Sequence, residues 1–412
     1  MTITGEMPQL AWVRSLVGKP FRCKPEVYRA TSLTFNSSVQ YSLGTGDLNP
    51  LYLDAKYAES VRGAFAPAPG WLSKVIRPMA AVGISYAGGA SGLRGVEFDS
   101  FEPITPPMGE DDSIDYLHAL MGGVEWTFIN SPRLGDTFAV SGSLTNVDIK
   151  QSRSYGTILI PYGELEYANQ DGVILARSRG WATVHDSRNV SPERTSSVQE
   201  IVPTPAEEVV PVEETWRMVE RRGPEPRYWE DVVVGEALPP LPKGTLQTEE
   251  IAAFTAAFGY YLPWRSFQTR EEDPLEPAVA ALLTAGDREG AARLFRASGV
   301  NNANRSSRLH TDGASAYGVP RAFDLGEQRV SWGVQYITDW IGDHGDVKTF
   351  GMDIRSFLTV GDTATINGFV SGKRESLGEH LVDLDFRVEN QRGRRLSNGT
   401  ATVVLPVKRE AP

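Results

Sequence analysis

The stretch LGDTFAVSGSLTN, residues 134–146, decides the fold because the chain contains it twice. Its second copy, VGDTATINGFVSG, occupies residues 360–372. In both copies a Gly-Asp-Thr sequence precedes a segment in which β-branched and apolar residues alternate roughly with small or polar ones, a pattern typical of a β-strand. Internal repetition of this kind indicates a duplicated structural unit.

Two further landmarks repeat in the same order. YANQDG at 167–172 is matched by VENQRG at 388–393, and GWATV at 180–184 is matched by GTATV at 399–403. The Asn-Gln-Asp-Gly and Asn-Gln-Arg-Gly sequences are typical of hairpin turns. Because the three landmarks keep their order and nearly their separations, the sequence predicts two copies of one domain, each ending in strands.

One apolar helical stretch precedes each group of strands. The first is PGWLSKVIRPMAAVG at 69–83, and the second is DLGEQRVSWGVQYITDW at 324–340, for which Asp324 is the predicted N-cap. One long helix followed by an antiparallel sheet, used twice, predicts an α+β fold in which each sheet wraps its helix.

The predicted domain boundaries follow from this pattern. The first domain comprises residues 1–186 and the second residues 226–412, with a helical insert near 264–308. Residues 187–225 are rich in Pro, Ser and Glu and predict a linker on the surface.

Composition limits the class of protein. The net charge of −11 in 412 residues argues against a nucleic-acid surface. No apolar run reaches the ~18 residues of a membrane span, and the N-terminal residues do not resemble a secretion signal. Cys23 is the single cysteine and the five histidines show no ligand spacing, so we expect a cytoplasmic protein without a metal site.

The sequence TGDLNPLYLD at 45–54 resembles an acid/base loop, with Asp47, Asn49 and then Tyr52. Asp47 and Asn49 are also residue types that form Asx turns, which would hold the loop in shape without any role in proton transfer. Tyr52 is either a hydrogen-bond donor to a substrate or a tyrosine of the core. The residues alone leave both pairs of alternatives open.

The order of GDLNPLYLDAKYA, a PGW sequence opening a helix, and a GDT strand resembles the MaoC-like dehydratases, which include the (R)-specific enoyl-CoA hydratases. The resemblance covers nearly the whole chain and implies a tandem, or double, hot-dog fold. In that family the loop reads Asp-x-Asn-Pro-x-His, and the Asp and His form the acid/base pair. Asp47 and Asn49 match this pattern, whereas Tyr52 occupies the histidine position.

The second half matches the loop in two pieces. TAAFGYYLP at 255–263 parallels SLGTGDLNP, so that Tyr260 replaces the aspartate, and LHTDGASA from 309 parallels LYLDAKYA, so that His310 stands at the histidine position. Each half therefore keeps one member of the pair, and family geometry would place Asp47 and His310 in separate sites. The acid partner of His310 is left open among Tyr260 and three acidic residues of the insert, Glu271, Glu272 and Asp273.

The resemblance implies roles for the remaining candidate residues. We expect His310 to be the main acid/base group and Asp47, Asn49 and Tyr52 to form an altered second site. Backbone N–H groups at a helix N-terminus can stabilise charge on a thioester oxygen, and the glycines at the two helix starts, Gly70 and Gly326, would allow close approach. Two arginines next to His310, Arg305 and Arg308, would bind the phosphates of coenzyme A or would be ordinary surface residues.

The predicted activity is therefore that of a hydro-lyase which hydrates an enoyl thioester or dehydrates a 3-hydroxyacyl thioester, with R stereochemistry implied by the resemblance. We expect no cofactor besides the carrier, coenzyme A or acyl carrier protein, and a possible homodimer through exposed sheet edges. Two alternatives remain. One is a hot-dog enzyme of other chemistry, such as an acyl transferase, decarboxylase, thioesterase or cyclase, using a tyrosine. The other is a protein that binds acyl thioesters without turnover.

Overall fold

The computed structural model describes residues 9–24, 30–76, 96–98, 117–186, 189–190, 215, 217–258, 319 and 321–408. The strands of its first half are β1 Pro20–Cys23, β2 Val96–Phe98, β3 Leu117–Phe128, β4 Phe138–Ser152, β5 Gly156–Asn169 and β6 Ile174–Asp186. Those of its second half are β7 Ala237–Thr245, β8 Asp346–Ile354, β9 Thr363–Ser376, β10 Glu379–Asn390 and β11 Arg395–Val404.

The described helices differ in length between the halves. The α-helices are α1 Gln9–Leu16, α2 Phe35–Thr45, α3 Pro50–Leu53, α4 Ala55–Arg62, α5 Thr248–Phe258 and α6 Gly326–Ile341, and the 3-10 helices are Pro69–Lys74 and Trp229–Asp231. None of the helices in these ranges combines the length and apolar character that crossing a membrane requires.

All eleven described strands join in one antiparallel sheet of order β2-β1-β4-β5-β6-β3-β8-β11-β10-β9-β7. From the centre outward, the order β3-β6-β5-β4-β1 in the first half is repeated as β8-β11-β10-β9-β7 in the second. The two halves meet where β3 pairs with β8, from Gly123 opposite Asp353 to Thr127 opposite Thr349. The predicted duplication therefore appears in the structure as a sheet whose strand order repeats in the two halves. The domain limits at 186 and 226 stay a prediction.

The repeated sequence landmarks contact each other in space. Gln170 of the first hairpin turn donates to Asp136 Oδ1 of the Gly-Asp-Thr turn at 3.1 Å, and its Oε1 accepts from Thr137 N at 2.8 Å. In the second half, Gln391 donates to Asp362 Oδ1 at 2.8 Å. Because these contacts join one hairpin turn to the start of the neighbouring strand, they explain why both sequences were kept in both halves.

The helix α6 lies at the centre of the core. Every residue from Glu327 to Ile341 is buried, because the sheet and the helices of both halves surround it. The sequence predicted Asp324 as the N-cap of α6, and this prediction is wrong. Leu325 occupies that position, and the Asp324 carboxylate instead accepts from Arg329 Nε at 2.8 Å and Nη2 at 2.6 Å.

Among the described residues, the first-half counterpart to α6 is a helix of six residues. The helix predicted over 69–83 is a 3-10 helix at Pro69–Lys74, and residues 77–83 lie outside the described residues. Elsewhere the halves pack helix on helix, since a Cβ added at Gly44 of α2 would lie 2.2 Å from the Cβ of Ala257 on α5. Glycine is therefore required at this crossing.

Candidate active site

The loop that carries Asp47 is shaped by the ends of three short helices. Thr34 and Ser37 form a reciprocal capping box at the start of α2, and Gly46 ends that helix with a φ of 71°. A left-handed residue at this position is the common helix C-cap and favours glycine. The chain then turns sharply, and Asp47 follows immediately, buried at 4% exposure.

Two successive Asx turns hold the loop. Asp47 Oδ1 accepts from Asn49 N at 3.1 Å, and Asn49 Oδ1 accepts from Leu51 N at 3.0 Å. Asn49 is also the N-cap of α3, with Pro50 at its first position. Asp47 and Asn49 therefore both form Asx turns, while the turn at Asp47 uses only one carboxylate oxygen, Oδ1, and whether Asp47 also transfers protons stays a prediction.

The second half supplies the surroundings of Asp47. Lys243 of β7 donates from Nζ to the Thr45 carbonyl oxygen at 3.3 Å and to Gln335 Oε1 of α6 at 2.9 Å. Its charge acts on both Asp47 and Asp339, which lies one helical turn after Gln335. We refer to Asp47, Asn49, Arg221, Lys243 and Asp339 as the buried polar cluster.

Arg221 joins the cluster from the segment between the halves. Its Nη1 donates to Asn49 Oδ1 and to Asp343 Oδ1, both at 3.1 Å. Asp343 is fully buried and also accepts from the Tyr57 hydroxyl at 2.5 Å. Arg221 lies within the predicted surface linker, but its side chain points inward because two buried oxygens need a donor.

Burial shifts the ionisation of the cluster. Burial raises the pKa of Asp47 to about 6, although the Asn49 N–H and the charges of Lys243 and Arg221 favour its ionised form. Burial, together with the negative charge of Asp47, raises the pKa of Asp339 well above its usual range. Burial lowers the pKa of Lys243 to about 8, against the opposite effect of the nearby carboxylates.

Tyr52 lies between the cluster and a cleft. Its side chain is buried, its hydroxyl contacts Thr338, and burial followed by the charge of Asp47 raises its pKa. Tyr52 and Thr338 both line a cleft of about 300 Å³, whose walls include Leu72 and Phe128 from the first half and Ile341 from the second. A neutral phenol at this wall can donate a hydrogen bond into the cleft, but it is a poor base.

The two glycines expected to admit a thioester are both covered by side chains. A Cβ at Gly70 would lie 2.6 Å from the Tyr41 hydroxyl, which contacts Ser331 at 2.9 Å. A Cβ at Gly326 would lie 2.7 Å from Met121 Sδ. Gly326 is also about 20 Å from Asp339 along α6, at ~1.5 Å per residue, so it does not belong to the buried polar cluster.

Gly326 borders a second, smaller cavity. This cavity of about 180 Å³ lies at the start of α6, and aromatic side chains such as Tyr155, Phe323 and Phe357 line it. The substrate-binding roles of Gly70 and Gly326 stay predictions.

The other second-half candidates fall outside the described residues. These are Tyr260, His310, Arg305, Arg308, Glu271, Glu272 and Asp273, together with the predicted insert. Their roles, and the separation of Asp47 from His310, therefore stay predictions. Within the described ranges, no group of three or more His, Cys, Asp or Glu side chains is arranged to hold a metal ion.

Sequence reasoning missed Arg221, Lys243 and Asp339. They are far apart in the chain, and none falls in a motif. One signal was present for Asp339, since it lies in a stretch predicted to be the helix that a sheet wraps, where a charged residue has no solvent face available. A charged residue that is buried without a structural ion pair is a candidate for function.

Comparison with known proteins supports the fold. No protein-family model and no curated protein matches the sequence. Among solved structures, a MaoC-like dehydratase superimposes with a TM-score of 0.57 at 14% identity, covering 96% of this chain and 100% of the other. A MaoC domain protein from Chloroflexus aurantiacus J-10-fl gives 0.51 at 11% identity, covering 95% and 96%.

A conserved protein from Mycobacterium tuberculosis with a double hot-dog fold is also similar. It gives a TM-score of 0.50 at 12% identity, covering 95% of this chain and 97% of the other. The predicted double hot-dog fold is therefore confirmed.

Proposed function

We propose that this double hot-dog chain adds water to an enoyl thioester, or removes it from a 3-hydroxyacyl thioester, at the buried polar cluster. Asp47 is the acid/base group of this reaction. The observation that carries the proposal is the buried Asp47 carboxyl, which accepts from Asn49 N in an Asp-x-Asn-Pro loop that Lys243 joins to the central helix of the other half. Burial raises the pKa of this carboxyl to about 6.

The chemistry matches what this carboxyl can do. Water addition needs a base that takes a proton from water and an acid that protonates the carbon next to the thioester. A base works best when its pKa lies near the working pH, and a positioned group of this kind contributes ~10²–10⁴-fold to the rate. Asp47 is mostly ionised at neutral pH but remains a far stronger base than an exposed aspartate.

Tyr52 faces the substrate in place of histidine. Its hydroxyl, which lies next to Thr338 at the wall of the cleft, supplies a hydrogen bond to the thioester oxygen. This assignment disfavours the alternative chemistries that need a tyrosinate, such as acyl transfer to the phenol, because the pKa of Tyr52 is raised rather than lowered.

The second half retains a proposed role at a separate site. His310, with Tyr260 or an acidic residue of the insert as its partner, remains a second candidate acid/base pair. Arg305 and Arg308 remain candidate ligands for the phosphates of coenzyme A. The carrier, a homodimer and a cytoplasmic location are likewise proposals that follow from the sequence.

A turnover assay tests the proposal. The purified full chain is incubated with enoyl-CoA thioesters ranging from crotonyl to bulky cyclic acyl groups, and products are followed by mass spectrometry for the gain of one water. We expect water addition by the wild type and a loss of ~10²–10⁴-fold in Asp47→Asn, which keeps the Asx turn but cannot act as a base. Asp136→Asn, a buried aspartate of the first Gly-Asp-Thr turn, is the matched control.

The outcomes separate the two sites. Full activity in Asp47→Asn together with its loss in His310→Ala would assign the reaction to the second half. Binding of the thioesters by the wild type without any product would favour a binding protein. Release of the acyl group or of CO₂ instead of water addition would contradict the hydro-lyase proposal.

A further inference from the structure

The described residues place a second ionisable carboxyl beside Asp47. Asp339 belongs to α6 of the second half, one turn after Gln335. Lys243 of β7 donates to Gln335 Oε1 and to the Thr45 carbonyl oxygen, two residues before Asp47, so helix α6 and strand β7 present their polar groups to the same loop.

The Asp339 side chain is incompletely bonded. It is 5% exposed, and Oδ2 is buried without a hydrogen-bond partner among the described residues. The backbone of Asp339 is fixed, since its carbonyl accepts from Arg222 N at 2.9 Å. A buried carboxyl oxygen without a partner is costly, and the cost is smaller when the carboxyl is protonated.

Ionisable groups from four elements lie around this carboxyl and Asp47. Lys243 lies on β7, Arg221 on the segment before it, and Tyr52 on α3, while Glu250 of α5 acts on Lys243. Burial raises the pKa of both carboxyls, that of Asp47 to about 6 and that of Asp339 well above its usual range. The hydrogen bond from Asn49 N favours the ionised form of Asp47, whereas the buried Oδ2 of Asp339, which has no partner among the described residues, favours the protonated form of Asp339.

We infer that Asp339 is the proton donor of the reaction, so that two carboxyls from opposite halves do the work that the family pattern gives to aspartate and histidine. The inference rests on the proposed function. Paired carboxyl groups whose surroundings separate their protonation states are a known arrangement for acid/base catalysis. The adjacent residue Thr338 lines the cleft, so this turn of α6 borders the space in which we place the substrate.

The protons balance over one cycle. The water oxygen forms a bond to the β-carbon while Asp47 takes a proton from that water. The electron pair of the carbon–carbon double bond moves to the α-carbon, which takes the proton of Asp339. Asp47 then returns its proton to Asp339, so the net reaction is the addition of one water, and no oxidant or reductant is needed.

The test compares Asp339→Asn with the wild type in the full chain. Asparagine has nearly the same shape as a protonated aspartate but cannot give up a proton, so we expect water addition to fall by ~10²–10⁴-fold with folding retained. Asp362→Asn is the control, because Asp362 is also buried at 5% exposure but bonds Thr359 and Gln391 in a turn. Infrared spectra at neutral pH should show a protonated-carboxyl band that Asp339→Asn lacks and Asp362→Asn retains.

The results distinguish failure of the proposed role of Asp339 from failure of the proposed function. Water addition within a few-fold of wild type in Asp339→Asn would overturn the role of Asp339 and leave the proposed function standing. A wild type that adds water to no thioester would overturn the proposed function and this role with it. Should Asp339→Asn fail to fold, a wild-type infrared titration decides, because absence of the protonated band at neutral pH overturns the inference.

Discussion

The two halves of the sheet are built alike, but the residues at their loops differ. In both halves, a glutamine of the hairpin turn bonds the aspartate of the Gly-Asp-Thr turn, as Gln170 does with Asp136 and Gln391 with Asp362. At the position of Asp47, in contrast, the sequence alignment of the two halves predicts Tyr260 in the second half. Each half must hold its own hairpin, whereas a chain needs only one complete set of reacting groups.

A second difference lies in the central helices. The first half has the short helix Pro69–Lys74, and the second has the sixteen-residue α6, which contributes Gln335, Asp339 and Thr338 to the site. The proposed site is thus built from the loop of one half and the helix of the other. The stability and activity of this site should depend on the contacts between the two halves. The following experiments compare the halves and their contacts, from the largest expected effect to the smallest.

Removing the buried ion pair between Asp324 and Arg329 tests how much this pair stabilises the second half. When Gly326 is aligned with Gly70, Arg329 corresponds to Ser73, so the pair with Asp324 has no equivalent in the first half. Arg329 is 1% exposed, and Arg329→Met would leave the Asp324 carboxylate buried without its cation. We expect a loss of about 3–5 kcal/mol in the free energy of unfolding, measured in urea.

The double variant Asp324→Asn/Arg329→Met is the control for that experiment. It removes both charges and should recover part of the lost stability. A single variant as stable as wild type would show that the pair adds nothing to the second half.

The pH dependence of stability tests the burial of Asp47. Its pKa is about 6 in the folded chain, whereas an aspartate in an unfolded chain has a pKa of about 4, so the native state binds more protons than the unfolded state between these values. Stability therefore falls as pH rises from ~4 to ~6, by an amount on the order of 2–3 kcal/mol for this group. Urea unfolding at both pH values should show this difference between wild type and Asp47→Asn. Parallel pH curves for the two proteins would contradict it.

The crossing of α2 and α5 at Gly44 and Ala257 tests how much the close packing of the two halves contributes to stability. Gly44→Ala should cost about 1–3 kcal/mol, because the new methyl group would meet Ala257. The exchanged pair Gly44→Ala/Ala257→Gly should recover most of the loss. Equal stability of the single and double variants in thermal unfolding would show that the crossing relaxes without cost.

The two turn glutamines test the similarity of the halves directly. Gln170→Ala and Gln391→Ala each remove a hydrogen bond to a buried aspartate, and we expect each to cost about 1 kcal/mol. Chemical denaturation of both variants measures the effects side by side. A large loss of stability in only one of the two variants would mean that the two similar contacts contribute differently to the free energy of unfolding.

The sequence predicted the repeated parts well because they act locally. The Gly-Asp-Thr and Asn-Gln sequences fix turns whose hydrogen bonds lie within a few residues or across one hairpin. The duplicated α+β architecture followed from them, and the resemblance to a known family implied the double hot-dog fold. The site could be predicted only in part. Asp47 and Asn49 stand in a recognisable loop, whereas Lys243, Arg221 and Asp339 are brought to it by the pairing of β3 with β8 and the packing of α6, which no local pattern encodes.

The contact between Gly44 and Ala257 also bears on the history of the chain. Each is the second-last residue of an eleven-residue helix, so the two are equivalent positions that face each other near the axis relating the halves. Two identical subunits would have to place the same residue on both sides, and two alanines would collide there. Joining the copies in one polypeptide let each side mutate alone, so a glycine on one side can face an alanine on the other.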